Sequence, residues 1–399
     1  MDKKKCLVFE AYPMFSGSQR ITLNVCKILR KKGFSVTLLS VDDRFGNIKK
    51  HFEDHVDEIK HIKSHPVLLK YGDEDSWFKG SNFLKSVFLG LIPFYFRSLK
   101  LISSSKYDYL YCCDPRGATM MLVAAMSFKK VSILHFHGKN RLPGFLSKLF
   151  LRVFTYVPCV SKDVADSLPP SDNKSVVYNG IDFEQYEDIS VDAVQEEMEK
   201  IIGDRANKTL FLYAGLFKPH KGIHHLIYAF SRLVKDSTKP TEPVLLICGA
   251  GKTPEEKNMM ESLKQYCIEQ GVDGNIIWAG WRSNILAWMK YANYFVFPTI
   301  NKEENKFPGF GALVESTEGL PTVLIESSIC GLYSIAANVT GVKEIISDNH
   351  NGIIFEPGEE DLLKRLQWVL ENKPSFIDFP NRENFALTTF ENQIDNLFR

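Results

Sequence analysis

Between residues 209 and 331 the chain repeats one unit: a short apolar run, a loop carrying glycine, then apolar residues at helical spacing. Thr209–Ala214 passes through Gly215 and Gly222 into Ile223–Val234, and Val244–Cys248 through Gly249 and Gly251 into Glu255–Glu269. Ile276–Ala279 passes through Gly280 and Arg282 into Ser283–Lys290, and Tyr294–Pro298 through a long loop, 299–317, into Ser316–Gly331. Strands that alternate with helices in this way pair in parallel, so the pattern predicts an α/β, doubly wound sheet. Ligands of such sheets bind beyond the carboxyl ends of the strands, where the glycine loops lie. Strands at Tyr333–Ala337 and Gly352–Phe355 and helices at Glu359–Glu371 and Glu383–Phe398 complete the series.

A first series precedes it. The strand Leu7–Ala11, a loop containing Gly17, a helix through Ile21 to Leu29 and the strand Ser35–Ser40 form a βαβ unit. Strands at Tyr107–Cys113 and Val131–Phe136 follow, the latter running into His135-Phe-His137-Gly138, and then Tyr156–Val160 and Ser175–Tyr178. Asn179-Gly-Ile-Asp182 reads as a turn before an acidic, strand-free stretch, placing a linker between about 180 and 205. A length of 399 residues exceeds one ordinary core. The expected domains are 1–182, 183–383 and a terminal helix, 384–399, packing back on the first.

The richest stretch is Ser316–Gly331. Glu318 and Glu326 flank Gly319-Leu-Pro-Thr322, with Pro321 expected at the first helical position and Gly331 ending the helix. Amides near Gly319, Leu320 and Thr322 would lie at the positive end of the helix dipole, beside two hydroxyl-binding carboxylates. A surface helix with two solvated glutamates is the alternative.

Charge is unevenly distributed. Residues 1–180 carry 28 Lys/Arg against 16 Asp/Glu, the remainder 21 against 32, and residues 79–152 carry 12 against 2. The first half therefore expects an anionic partner. Residues 81–104 are apolar and basic, too short in uncharged run to span a bilayer; they suit either a buried helix kinked at Pro93 or an interfacial segment. With Lys139–Arg152 they favour an anionic membrane surface over nucleic acid, for which no module is present. Eight scattered cysteines without a C-x-x-C pair, and no signal-peptide pattern at Met1-Asp-Lys-Lys-Lys-Cys, suggest a cytoplasmic protein, or one peripheral at the inner face of the cytoplasmic membrane. His51, His55, His61 and His65 lie among acids as a solvated helix face.

The order of motifs resembles the retaining nucleotide-sugar glycosyltransferases of family 4, which have the GT-B fold of two Rossmann-like domains facing across a cleft. The likeness rests on Gly215…Lys221-Gly222, Gly249-Ala-Gly251, Gly280, Glu318-x7-Glu326, Val339-Thr-Gly341 and the junction Asn179-Gly-Ile-Asp182. Ser16-Gly17 and Phe136-His137 match more loosely. It implies a nucleotide-diphosphate sugar as donor and no metal or cofactor. Glu326 would bind the ribose, Glu318 the transferred sugar, and the stretch Gly319, Leu320, Pro321 and Thr322, through its amides other than that of the proline, the diphosphate with Lys221, while Gly17, Gly215 and Gly251 line the donor and His137 approaches its sugar or β-phosphate. The acceptor would be a glycan or a lipid-linked sugar, in cell-surface polysaccharide or glycolipid synthesis. The family's diphosphate-clamping arginine is Leu216 here, so Lys218, or else Arg282 or another residue, is expected to replace it. The loop 300–317 is longer than the family's connection and is expected to act as a lid or acceptor contact. A non-catalytic partner subunit, an epimerase or phosphorylase on the same fold, and a glycosidase-type use of the two glutamates are the competing functions.

Overall fold

The computed structural model describes residues 3–12, 15, 17–41, 47–69, 81–187, 189–203, 208–236, 242–316 and 318–399. Ser16, residues 79–80 and Thr317, used above, lie outside the described residues. The chain divides into two compact units, Met1–Ile181 with Glu383–Arg399, and Asp182–Arg382.

The first unit is built on β1 (Lys5–Glu10), β2 (Ser35–Val41), β3 (Glu58–Ile62), β4 (Tyr109–Cys112) and β5 (Val131–Leu134). They form one parallel sheet in the order β3-β2-β1-β4-β5. Cys6 to Phe9 and Val36 to Val41, the polar Thr37 and Ser40 included, are buried, as strands must be when helices cover both sides. The short strands β6 (Val157–Cys159) and β7 (Lys174–Val176) pair with each other, and bridges Ile133–Tyr156 and Phe136–Cys159 join them to β5. The edge strand β3 was not expected from the sequence; its Glu-Ile-Lys-His-Ile pattern is charged because an edge need bury only part of itself. His61 belongs to β3 and bonds Ser40 Oγ at 2.9 Å, and His51 stacks on Phe15, so these histidines do not share one solvated helix face.

The C-terminal helix Leu387–Leu397 packs on this unit. Phe390, Ile394, Leu397 and Phe398 share a core with Cys6, Val8 and Tyr111. Ile181 is bonded to both Phe385 and Leu387 where the chain leaves the unit and returns: Ile181 N donates to Phe385 O and Leu387 N to Ile181 O, both at 2.9 Å. Gly180 lies so close that a Cβ there would run into Phe390, which explains why the turn Asn179-Gly-Ile-Asp182 carries glycine at this place.

Residues 81–104 form a helix with a π-turn over Ser86–Leu91, and Ile92 N donates to Val87 O. Pro93, which lacks an N–H, follows two residues after it, in the first turn of Ile92–Ser104, where a missing donor is tolerated. The helix is not buried: Phe83, Leu84, Phe88, Leu89, Ile92 and Phe96 are exposed. Phe83–Ser104 is long and apolar enough to cross a membrane by length and composition, with 28% of its most apolar window buried.

The second unit contains β8 (Lys208–Ala214), β9 (Glu242–Cys248), β10 (Ile276–Gly280), β11 (Tyr294–Phe297), β12 (Lys302–Glu304), β13 (Leu313–Glu315), β14 (Tyr333–Ala337) and β15 (Gly352–Phe355). Six of them form a parallel sheet in the order β10-β9-β8-β11-β14-β15. Strand order reverses between β8 and β11, the place where such sheets open a crevice at the carboxyl edge.

Two expectations are corrected here. The supposed linker contains the helix Asp192–Ile202, whose Val194, Met198 and Ile202 are buried at one-turn intervals. The long loop after β11 is not structureless: β12 and β13 make an antiparallel hairpin with Glu303 opposite Val314.

Candidate active site

Lys221 and Glu318 come from the two loops at the strand-order reversal, after β8 and after β11. Lys221 ends a 3-10 turn, Pro219–Lys221, and Gly222 follows in the left-handed region at φ +67°. A Cβ on Gly222 would strike the carbonyl of Pro298 at the end of β11, so the turn reaches its place only because residue 222 is glycine. Ile300 N donates to His220 O at 3.1 Å, tying the two loops together. The Lys221 ammonium is ion-paired with Glu318, both side chains being partly buried. Burial pushes the Glu318 carboxyl up, but the charge and hydrogen bond of Lys221, helped by His220, hold it below the ordinary carboxylate value. Glu318 is therefore anionic at neutral pH, with a cation bound to it.

The helix after Glu318 runs Thr322–Ile329, with Pro321 as its N-cap rather than its first residue, and Gly331 beyond its end at φ +71°. Its first amides have no intrahelical acceptor. Among the described residues no backbone carbonyl outside the helix takes up the amides of Gly319, Leu320, Thr322 or Val323. Gly341, at φ +80°, packs against this loop so closely that a Cβ would meet Gly319 O. Glu326 lies one turn inside the helix, with the Tyr186 hydroxyl 3.5 Å from its Oε1.

The glycine loops along the same edge are laced by backbone hydrogen bonds. Gly215 N donates to Cys248 O at 3.1 Å and Gly249 N to Gly280 O at 2.9 Å. A Cβ on Gly251 would lie 2.7 Å from Lys257 N, against the start of the helix Pro254–Gln270. Of the cations expected to replace an arginine at Leu216, Arg282 is paired with Glu197 at 3.0 Å and stacked over Trp288. Lys218 meets Glu256 at 3.9 Å, at the outer limit of an ion pair, and is 39% exposed. Tyr213, which sequence reading passed over, donates to Leu216 O at 3.0 Å and shapes the Gly215 turn. Its position as an apolar-run member gave no sign of this.

In the first unit, Gly17 begins the helix Gly17–Lys31, and open space surrounds the place its Cβ would take. His135 and His137 follow β5. His135 is buried with Nδ1 2.5 Å from the Tyr111 hydroxyl, and the His137 ring stands 4.2 Å from it. Burial lowers the His137 pKa from 6.5 to about 4, so its imidazole is neutral at physiological pH. Because the unfolded chain would take a proton near pH 6.5 and the folded chain only near 4, His137 stabilises the fold above that window and the contribution is lost as pH falls through it. Thermal unfolding between pH 7 and pH 4 checks this: His137→Gln is expected to lose less stability across that range than the parent chain. Glu10, also missed, ends β1 where strand order reverses; it is buried and accepts from Gln19 Nε2 at 3.0 Å. Burial, with Asp114 nearby, raises its carboxyl pKa to about 8.

Parallel sheets in two Rossmann-like units define the GT-B class, and comparison with known proteins agrees. The Anabaena protein Alr3699/HepE, solved in complex with UDP, superposes with a TM-score of 0.76 at 16% identity over 99% of each chain. The lipopolysaccharide outer core galactosyltransferase WaaB does so at 0.67, 16% identical over 99% of each chain. An Escherichia coli protein named UDP-Gal:alpha-D-GlcNAc-diphosphoundecaprenol alpha-1,3-galactosyltransferase is 21% identical over 97% of this chain and 93% of its own length. Residues 194–386 match the family model for glycosyl transferases group 1. The chain carries a group 1 glycosyltransferase domain, and its enzyme class is glycosyltransferase.

Proposed function

We propose that the chain transfers a hexose from a nucleoside diphosphate sugar to a lipid-linked or glycan acceptor, with retention at the anomeric carbon, as a family 4 enzyme building cell-surface polysaccharide or glycolipid. The observation that carries this reading is the Lys221–Glu318 pair standing at the start of the helix that bears Glu326. In it, Glu326 accepts the ribose hydroxyls and Glu318 those of the sugar. Amides from Gly319 to Thr322, with Lys221, hold the diphosphate. Lys218, the less committed cation, stands in for the arginine absent at Leu216. Gly17 and His137 belong to the acceptor-side unit, with neutral His137 serving as a hydrogen-bonding partner of the donor sugar.

The acceptor hydroxyl attacks the anomeric carbon on the face the phosphate leaves. The sugar–phosphate C–O bond breaks, the new glycosidic C–O bond forms, and a phosphate oxygen takes the acceptor proton. Charge building on the leaving diphosphate is met by Lys221 and the helix amides, without a metal ion there. The complexes of the Anabaena protein with UDP and with UDP-glucose support a uridine donor, and the name of the Escherichia coli relative supports a diphosphate-lipid acceptor.

A cytoplasmic, membrane-peripheral location fits the exposed Phe83, Phe88, Phe96 and Phe145 beside Lys85, Lys100 and Lys148. Flotation with liposomes is expected to carry the protein upward only when anionic lipid is present; equal partitioning without it would remove the membrane claim. Incubation with UDP-hexoses and a diphospholipid-linked sugar tests the activity. Transfer by the parent chain, lost in Glu326→Ala, supports the reading. Donor binding without turnover would instead indicate a non-catalytic subunit, and acceptor-independent change of the donor an epimerase.

A further inference from the structure

Helix residues at successive positions normally point about 100° apart and do not share a partner. His224 and His225, the second and third residues of the helix Ile223–Asp236, nonetheless converge on one carboxylate. His224 Nε2 lies 2.8 Å from Glu303 Oε1 and His225 Nε2 lies 2.6 Å from Oε2. The three possible ligand atoms lie within 4.8 Å of one another, and this is the one such trio of His, Cys, Asp or Glu among the described residues. Glu303 sits in the middle of β12, in the hairpin that lengthens the loop after β11.

We propose that His224, His225 and Glu303 form a structural zinc site that clamps the hairpin to the helix following Lys221. Two imidazoles and a carboxylate suit Zn²⁺ better than Mg²⁺ or Ca²⁺, which prefer oxygen-only shells. Zinc holds such atoms at roughly 2.0–2.2 Å, which in a tetrahedron places them about 3.3 Å apart. The two N···O separations, 2.8 Å to Oε1 and 2.6 Å to Oε2, would open by a fraction of an ångström, and the remaining ligand-atom separations lie within 4.8 Å. Each imidazole would give its Nε2 lone pair to the ion and carry a proton on Nδ1. Both Nδ1 atoms are buried with no hydrogen-bond partner among the described residues, so the metal-bound tautomer leaves two N–H groups without an acceptor, a cost the ion must offset. His225 and Glu303 are 20% and 24% exposed, enough for water to complete the shell as fourth ligand. Phe307, on the hairpin, packs edge-on against His224 at 5.3 Å and keeps that side apolar.

The clamp matters because the hairpin sets the approach to Glu318. Ser316 N donates to Asn301 O at 2.9 Å, closing the hairpin, and Glu318 N donates to Ser316 Oγ at 3.1 Å. An ion at Glu303 would thus fix the segment that presents Glu318 to Lys221, without touching a donor. This departs from the expectation of no metal, which was drawn from the resemblance. It does not depend on which sugar is transferred, or on transfer at all.

The test uses the full chain, stripped with EDTA, dialysed against ZnCl₂ and analysed for bound zinc, with thermal unfolding in parallel. One Zn²⁺ per chain is expected, with a Tm raised by about 2–5 °C in ZnCl₂ and unchanged in MgCl₂. His225→Ala and Glu303→Gln should each weaken binding by about 100-fold or more and lose the zinc-dependent Tm shift. Glu303→Gln keeps the side-chain shape, so loss of zinc from a normally folded variant assigns the ion to this site. No uptake by the parent chain, or equal uptake by parent and variants at the scattered histidines and cysteines, would overturn the proposal.

Discussion

Lys221→Ala is expected to lower kcat for sugar transfer by about 10²–10³-fold, the usual cost of removing one group that meets charge developing in the transition state. The loss should fall mainly on kcat if, as proposed, helix amides and Lys218 still hold the ground-state diphosphate. A second effect accompanies it. Glu318 loses its cation while remaining partly buried, so the variant should also lose on the order of 1–3 kcal/mol of stability. The acid side of the stability profile separates the two effects. In the parent chain the lowered Glu318 pKa means that stability drops as pH falls through the ordinary carboxylate range and below it. Lys221→Ala should flatten that drop. Steady-state kinetics with saturating donor, and Tm against pH, measure both.

Gly222→Ala is expected to cripple the enzyme almost as severely, although the residue carries no functional group. At φ +67° a Cβ costs roughly 1–3 kcal/mol in backbone strain. Here it would also collide with Pro298 O, which belongs to the rigid end of a central strand. The 3-10 turn must then move, carrying Lys221 with it, and a displacement of about 1 Å can cost 10²-fold in rate. Far-UV circular dichroism should show a folded chain while transfer falls by about 10²-fold. Full activity in Gly222→Ala would show that the Lys221 turn is not tied to β11 as described.

Physical reasons separate what could be read from the sequence from what could not. Strands such as Tyr333–Ala337 and Gly352–Phe355 were placed to the residue because buried parallel strands are continuous apolar runs bounded by glycine or polar turns. The Lys221–Gly222 and Glu318–Glu326 motifs were visible because a tight backbone approach and a helix start both leave marks in the local chain. The helix Asp192–Ile202 was hidden by its acids, although Val194, Met198 and Ile202 already stood at helical spacing. The hairpin of β12 and β13 escaped because three-residue strands carry too little alternation to register. Contacts distant in sequence left no local mark. His224 and Glu303 are 79 residues apart, and neither belongs to a motif. The sequence likewise offered Lys218 first and Arg282 as an alternative for the missing arginine, and the folded chain separates them: Arg282 is held by Glu197.

The central claim is that the second unit binds a nucleotide sugar through Lys221, the amides after Glu318, and Glu326. Its most direct test is thermal unfolding of the purified chain against a panel of nucleotide sugars, repeated with Glu326→Ala and Lys221→Ala. Saturating UDP-hexose is expected to raise the parent Tm by about 5 °C or more, since a ligand bound only by the folded state stabilises it. The shift should shrink to near zero in both variants. A parent chain whose Tm no nucleotide sugar moves, or variants that keep the full shift, would contradict the assignment of this site.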